Sequence, residues 1–140
     1  MSIRKSEMLV RDVMLSPDRF PVVGRQTLLK EALEEMSRMR IGIACIVGQD
    51  QQLLGILTDG DLRRMLLKVQ KPFSAFFADD ALEHAVTSPL KVLPGDTLLQ
   101  AVRVMDEKRV WDLPVVDEDG RLLGLLHLHP AVEALLSTDV

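Results

Sequence analysis

The chain has 140 residues, enough for one compact domain or two very small ones and too few for most two-domain enzymes. Hydrophobic residues make up 47% of the chain, which excludes wholesale disorder, and aromatic residues make up only 4%, so we expect an aliphatic core. A net charge of −4 argues against a general nucleic-acid binder, because such proteins usually present a basic face. The single cysteine, Cys45, excludes an internal disulfide and a zinc cluster of several cysteines.

Charge is distributed unevenly along the chain. Residues 1–70 carry 11 basic and 9 acidic side chains, whereas residues 71–140 carry 6 and 12, so an anionic ligand should prefer the first half. No apolar run approaches the roughly 20 residues that a bilayer-spanning helix needs. Residues 1–7 lack the apolar stretch of a signal peptide. We therefore expect a cytoplasmic protein with no membrane partner.

The chain contains an internal repeat. Shifting the sequence by 69 positions aligns residues 21–67 with residues 90–136, with identity at 13 of 47 positions. The matches keep their order along both copies and include Gly55 with Gly124. Two copies of one supersecondary unit are therefore predicted.

Both copies predict the order strand, helix, strand, strand, helix, from periodicity and turn signals. The first copy has strands at 22–23, 43–47 and 53–57, with helices at 29–39 and about 59–69. The second copy has strands at 91–93, 113–116 and 122–126, with helices from residue 98 onward and at about 129–137.

One such repeat is too small to bury both of its faces. We therefore expect an α+β fold in which two β-α-β-β-α repeats, residues 8–69 and 81–138, pack sheet to sheet. Residues 70–80 are the predicted linker, whose phenylalanines we expect to pin it to the core: Phe73, Phe76 and Phe77.

Tandem repeats with a Gly-x-x-Thr-x-x-Asp corner resemble a pair of CBS domains, the cystathionine β-synthase type of regulatory module, over about residues 8–138. A narrower resemblance lies in the string G-I-L-T-D-G-D-L-R-R at residues 55–64, in M-L-S-P-D-R-F-P at 14–21 and in G-L-L-H-L-H at 124–129. These strings are similar to the CBS tail of arabinose-5-phosphate isomerases, which act in 3-deoxy-manno-octulosonate (Kdo) synthesis for lipopolysaccharide or capsule. The resemblance implies either an excised regulatory tail or a stand-alone relative, because the sugar isomerase domain is absent from this sequence.

Two interpretations of Thr58 and Asp61 stand side by side. Thr58 follows a predicted strand and precedes a predicted helix, so the pair fits a capping box with Asp in place of Glu. The same helix start could hold a phosphate on its free N–H groups, while a nearby carboxylate binds ribose hydroxyls. The two interpretations are compatible.

By resemblance to CBS pairs, the ligand is a nucleotide held between the repeats, with Thr58 and Asp61 as its polar contacts. The resemblance also implies walls formed by four apolar residues: Val22, Val23, Ile43 and Ala44. Arg63 and Arg64 are either part of a solvated helix face, or one of them pairs with a ligand phosphate or carboxylate, with Arg63 as our candidate. Trp111 is either a base-stacking wall or a dimer contact, and we favour the contact.

The second copy departs from the pattern, because His127 and Pro130 stand where the first copy has Thr58 and Asp61. Two identical nucleotide sites are therefore not expected. His127 and His129 are candidate polar contacts to a ligand or a partner subunit. If the strand continued through both, they would lie on one face, but a third metal ligand is not evident, so no metal site is predicted.

No recognised catalytic motif occurs, so this chain alone is not expected to be an enzyme. The predicted function is a regulatory ligand-sensing module that needs no cofactor and binds an adenine nucleotide or, by pathway inference, CMP-Kdo. A sugar isomerase domain in cis or in trans is the predicted partner, and nucleic acid is not. The alternative is a structural module that forms homodimers and assembles an isomerase without a small-molecule ligand.

Overall fold

The computed structural model describes residues 7–137. The helices are α1 (Leu29–Met39), α2 (Asp59–Lys68), α3 (Phe73–Phe77), α4 (Leu98–Lys108) and α5 (Leu128–Ser137). The strands are β1 (Val22–Gly24), β2 (Ile43–Val47), β3 (Leu53–Thr58), β4 (Asp112–Val116) and β5 (Leu122–His127). This mixed α+β composition with two β-hairpins confirms the predicted fold class and the repeat.

The chain divides into two compact units. Residues 17–89 form the β1–β3 unit, and residues 7–16 together with residues 90–137 form the β4–β5 unit. Each unit has its own sheet and its own buried apolar cluster.

The sheet of the β1–β3 unit has the order β1-β2-β3, with β1 parallel and β3 antiparallel to β2. Strand β2 is buried along its whole length, which its continuous apolar sequence predicts. Helix α1 places Leu29, Ala32 and Met36 in the interior at the spacing of one helix face, as predicted. It ends at Arg40, whose positive φ of 53° lets the next N–H bond back to the carbonyl of Met36 at 3.1 Å.

The β4–β5 unit repeats this frame with one strand fewer. Strands β4 and β5 form the hairpin, and α4 buries Leu98, Ala101 and Met105. The strand predicted at residues 91–93 is reduced to a single parallel bridge between Val92 and Val115.

A proline explains this difference between the repeats. In the β1–β3 unit, the backbone N–H of Cys45 donates to the carbonyl of Pro21 at 2.9 Å, which extends the β1–β2 pairing. The equivalent position in β4 is Pro114, which has no N–H to donate. The pairing in the second repeat therefore cannot extend in the same direction.

The outer strand of each hairpin is bridged by a segment from elsewhere in the chain. Leu15 exchanges two backbone hydrogen bonds with Leu125 of β5, at 2.8 and 3.0 Å. Val86 does the same with Ile56 of β3, at 2.8 and 3.0 Å. Leu15 lies in the predicted first repeat but bridges a strand of the second, and Val86 lies in the predicted second repeat but bridges a strand of the first. The compact units therefore do not have the bounds of the sequence repeats.

The segment after α2 is pinned by one phenylalanine only. Phe76 is buried in the core of the β1–β3 unit, whereas Phe73 and Phe77 are exposed. The expectation that all three pin the linker is therefore wrong, because the short helix α3 turns one ring inward and the other two toward solvent.

Among residues 7–137, the helices are too short or too polar to span a lipid bilayer.

A substitution at Gly124 tests how much the bridge between Leu15 and Leu125 contributes to stability. A Cβ at this position would lie 2.7 Å from the backbone carbonyl oxygen of Leu15 and 2.9 Å from Sδ of Met14. We expect Gly124→Ala to lower the free energy of unfolding by about 1–3 kcal/mol, because the bridging backbone must move. Urea unfolding measures this loss. Gly95→Ala is the matched control, since a Cβ there meets nothing within 4 Å. An equal effect of the two substitutions would contradict the prediction.

Candidate functional site

In the β1–β3 unit, one terminus of each of the three strands lies at the same end of the sheet. The register pairs Val22 with Cys45 across β1 and β2, and Ile43 with Thr58 across β2 and β3. Because β1 and β2 are parallel and β3 is antiparallel, the starts of β1 and β2 lie beside the end of β3. Helix α2 begins at this end of the sheet, immediately after Thr58.

The start of α2 is a complete capping box. Oγ1 of Thr58 accepts a hydrogen bond from the backbone N–H of Asp61 at 3.2 Å. Oδ2 of Asp61 accepts hydrogen bonds from the Thr58 N–H at 3.0 Å and from the Thr58 hydroxyl at 2.8 Å. The capping interpretation is therefore confirmed, with Asp serving in the position usual for Glu.

The second carboxylate oxygen of Asp61 faces an arginine. Oδ1 of Asp61 accepts a hydrogen bond from Nη2 of Arg64 at 2.7 Å. Arg63 and Arg64 are both exposed, and Arg64, not the candidate Arg63, is the arginine in contact with Asp61. The three-residue spacing from Asp61 to Arg64 on a helix could have identified this pair.

The predicted wall residues divide into two groups. Val22 and Val23 line an open groove of about 620 Å³ beside α1, whose helical wall carries Glu31 and Glu34. Ile43 and Ala44 are fully buried. Within the described residues, the lining of the groove does not include Thr58 or Asp61, so the structure does not gather the whole predicted set in one cavity.

In the β4–β5 unit, a histidine–aspartate pair takes the place of the Thr58–Ile43 pair. His127, at the end of β5, lies opposite Asp112, and its Nδ1 lies 2.7 Å from Oδ1 of that residue. Burial raises the pKa of Asp112 above its usual value of 3.8, and the hydrogen bond with His127 opposes that rise. Asp112 was not predicted as a site residue, because its pairing with His127 depends on the β4–β5 register.

His129 is separated from His127 by a change of secondary structure. Strand β5 ends at His127, and His129 lies in α5, where its Nε2 is 3.4 Å from Oε2 of Glu133. The two imidazoles therefore do not share a strand face. Pro130 stands in the first turn of α5, a position that tolerates proline.

Trp111 lies just before β4 and its side chain is 70% exposed. Its backbone carbonyl accepts a hydrogen bond from the N–H of Leu128 at 2.9 Å, as the carbonyl of Gly42 does from Asp59 at 3.1 Å. A Cβ at Gly42 would lie 2.7 Å from Oδ2 of Asp59, so Trp111 is accommodated where leucine replaces that aspartate.

A second polar cluster, not predicted from sequence, lies near the end of the β1–β3 unit. Ligand-type atoms of Asp79, Glu83 and His84 lie within 4.8 Å of one another. Oδ2 of Asp79 is already 2.7 Å from Nζ of Lys71 and 2.8 Å from Nε2 of His84. Hydrogen bonds from Lys71 and then from His84 lower the pKa of Asp79, so the Asp79 carboxylate already has two partners within the cluster.

The partly buried carboxyl of Asp112 predicts a specific pH dependence. Because its pKa is raised in the folded state, its contribution to stability is greatest when it is protonated and is lost as pH rises above about 3.8 through the folded pKa. Asp112→Asn cannot ionise, so its stability relative to the parent protein should be higher at pH 7 than at pH 4. Chemical unfolding at a series of pH values measures this. Asp106→Asn, which removes an exposed charge on α4, is the control and should show a smaller trend. A flat difference for Asp112→Asn would contradict the prediction.

The sequence is similar to curated proteins over nearly its whole length. The arabinose 5-phosphate isomerase KdsD of Escherichia coli K12 is 32% identical over 133 residues, which cover 94% of this chain. An uncharacterised protein of Helicobacter pylori J99 is 33% identical over 132 residues. The chain spans only about 38% of the length of these curated relatives.

Among solved structures, CBSX2 of Arabidopsis thaliana, a CBS-pair protein, is similar. The crystal structure of CBSX2 in complex with AMP has a TM-score of 0.80 and 29% identity, covering 92% of this chain and 96% of that one. The family model of the CBS domain matches residues 10–68 and again residues 81–135. The chain therefore belongs to the CBS-domain family and consists of a CBS pair.

Proposed function

We propose that this CBS pair is a regulatory module that binds a nucleotide at the start of α2 in the β1–β3 unit. The observation that carries the proposal is the Thr58–Asp61 pair, a hydroxyl and a carboxylate fixed together at a strand-to-helix corner. In this proposal Asp61 accepts hydrogen bonds from two neighbouring ribose hydroxyls, and Thr58 contacts a sugar or phosphate oxygen.

The capping box supports this proposal, because it fixes the carboxylate before a ligand arrives. Oδ2 of Asp61 is held by the N–H and the hydroxyl of Thr58, so the side chain loses little conformational entropy on binding. Val22 and Val23 supply an apolar surface at the neighbouring strand start, where a base could rest. We propose Ile43 and Ala44 as the buried support beneath that surface.

An adenine nucleotide is the first ligand to test. CBSX2, at 29% identity, was crystallised with AMP. The similarity to KdsD brings a second candidate, the activated sugar CMP-Kdo, which carries a carboxylate and a phosphate. We propose that the module acts on a sugar isomerase domain, in cis or in trans, within Kdo biosynthesis. Repeats at 8–69 and 81–138, with a linker at 70–80, remain our proposed functional division of the chain.

The β4–β5 unit would contribute differently. His127 replaces the hydroxyl of Thr58 with an imidazole, His129 stands where the first repeat has Gly60, and Pro130 removes the carboxylate that would bind ribose. We propose one ribose-binding site for each chain, with His127 and Trp111 available to a different ligand group or to a partner subunit.

A thermal-shift titration with AMP, ATP, CMP and CMP-Kdo tests the proposal. Ligand at 100 times its Kd should stabilise the protein by about 2.7 kcal/mol through mass action. We expect Asp61→Ala to abolish the shift, and also to lower the stability of the free protein by about 1 kcal/mol through loss of the cap.

The control for lost capping is Asp12→Ala. Oδ2 of Asp12 accepts a hydrogen bond from the backbone N–H of Leu9 at 2.8 Å, the same three-residue geometry outside the β1–β3 unit. This variant should keep the ligand-induced shift. If none of the four compounds shifts the unfolding temperature of the parent protein, Thr58 and Asp61 are a helix cap only.

A second candidate function is homodimerisation without a small-molecule ligand. Between residues 66 and 77, five large apolar side chains are exposed: Leu66, Leu67, Val69, Phe73 and Phe77. Leu67 is 80% exposed and Phe73 is 66% exposed. Exposed apolar side chains grouped in this way are typical of a protein–protein interface. A second copy of the chain is the occupant we propose for this segment.

Sedimentation velocity tests this second candidate. We expect the parent protein to form dimers and Leu67→Glu to weaken the dimer at least about tenfold, because a charge would be buried in an apolar interface. Leu136→Glu is the matched control, since Leu136 occupies the equivalent repeat position and is 77% exposed. A monomeric parent protein, or equal loss in both variants, would contradict a dimer interface at residues 66–77.

A further inference from the structure

We propose that Arg64 is a specificity-determining residue, which makes the site at the start of α2 select phosphorylated nucleosides over neutral ones. This inference rests on the proposed function, in which Asp61 binds ribose hydroxyls. It assigns a role to a side chain that contacts Asp61 in the free protein.

The two oxygens of Asp61 have separate partners. Oδ2 holds the capping box through the N–H and hydroxyl of Thr58, so a ligand that displaced it would unwind the start of α2. Oδ1 is held by Nη2 of Arg64 at 2.7 Å. The Asp61 side chain is only 11% exposed, whereas Arg64 is 56% exposed. Arg64 is therefore the partner that a ligand can displace, because it can swing into solvent without breaking the helix.

The guanidinium lies over the first turn of α2. A Cβ built at Gly60 would be 3.3 Å from both Nη1 and Nη2 of Arg64, so the glycine leaves room for the guanidinium directly above the backbone. The N-terminal turn of a helix favours negative charge and disfavours positive charge. Arg64 is held at this unfavourable place by its ion pair with Asp61, and an arriving anion would give it a second partner.

Local charge makes an arginine necessary for an anionic ligand. The first turn of α2 carries two carboxylates, Asp59 and Asp61. A phosphate bound there without a nearby cation would be repelled by both carboxylates, because all three groups carry negative charge. Arg64 offsets that repulsion and can offer paired N–H donors to a phosphate group.

The free energy of binding should therefore differ between neutral and phosphorylated nucleosides. A neutral nucleoside must displace Arg64 from Oδ1 of Asp61 and offers the guanidinium no anion in return. A phosphorylated nucleoside displaces the same contact and replaces it with a charge-assisted hydrogen bond. Removing Arg64 should weaken binding of the phosphorylated ligand and should leave binding of the neutral ligand unchanged or stronger.

Isothermal titration calorimetry with AMP and adenosine tests this inference. In the parent protein AMP should bind more tightly than adenosine. In Arg64→Ala the ratio of the two affinities should fall about tenfold or more, since one charge-assisted hydrogen bond is lost for AMP alone. Arg64→Lys keeps the charge without the paired donors and should give an intermediate ratio.

Arg63→Ala is the matched control, because it removes the same charge from the adjacent, exposed position. It should leave the ratio unchanged. An equal fall in Arg63→Ala and Arg64→Ala would overturn the inference, since general electrostatic attraction would then explain the preference.

The outcomes separate this inference from the proposed function. If AMP binds the parent protein and Asp61→Ala abolishes binding, but Arg64→Ala keeps the ratio, the inference fails and the proposed function stands. If neither AMP nor adenosine binds the parent protein, the inference fails together with adenine nucleotide binding. Unfolding temperatures of the variants, measured without ligand, show that each is folded.

Discussion

The edge pairing of β3 is the interaction on which the candidate site depends. Ile56 is bridged by Val86 through two backbone hydrogen bonds, and Thr58 follows only two residues later. Gly55 permits the approach, because a Cβ there would lie 2.9 Å from the carbonyl oxygen of Val86. The bridge covers an otherwise open sheet edge and fixes the strand end from which Thr58 begins α2. The position of Asp61 therefore depends on residues well outside its own helix.

The two repeats share one backbone frame and differ in chemistry at the same strand end. Pro114 shortens the pairing that Cys45 extends in the first repeat. The hydroxyl of Thr58 is replaced by the imidazole of His127, whose cross-strand neighbour is the carboxyl of Asp112. The polar residues at the strand ends can thus differ while the backbone fold stays the same, because the two repeats share their buried apolar positions but not these polar ones.

Most of the frame could be predicted from sequence because it follows from local periodicity. The buried faces of α1 and α4, the two hairpins and the capping box at Thr58 all depend on residues within a few positions of one another. The bridges of Leu15 and Val86 could not be predicted in this way, since each joins segments that are distant in sequence. The His127–Asp112 pair was missed for a related reason, because it depends on strand register. The contact between Arg64 and Asp61 is local, and its three-residue helical spacing favours Arg64 over Arg63 as the partner of Asp61.

The division of the chain into units has a consequence for folding during synthesis. Residues 17–89 are continuous in sequence, so the β1–β3 unit can close as soon as its last strand partner near Val86 leaves the ribosome. The β4–β5 unit joins residues 7–16 to β5, which is synthesised much later than they are. Its closing contact spans most of the chain and carries a larger loop entropy than any pairing inside the first unit. Residues 7–16 are therefore synthesised well before their native partner, and β5 has an open edge until the two segments meet.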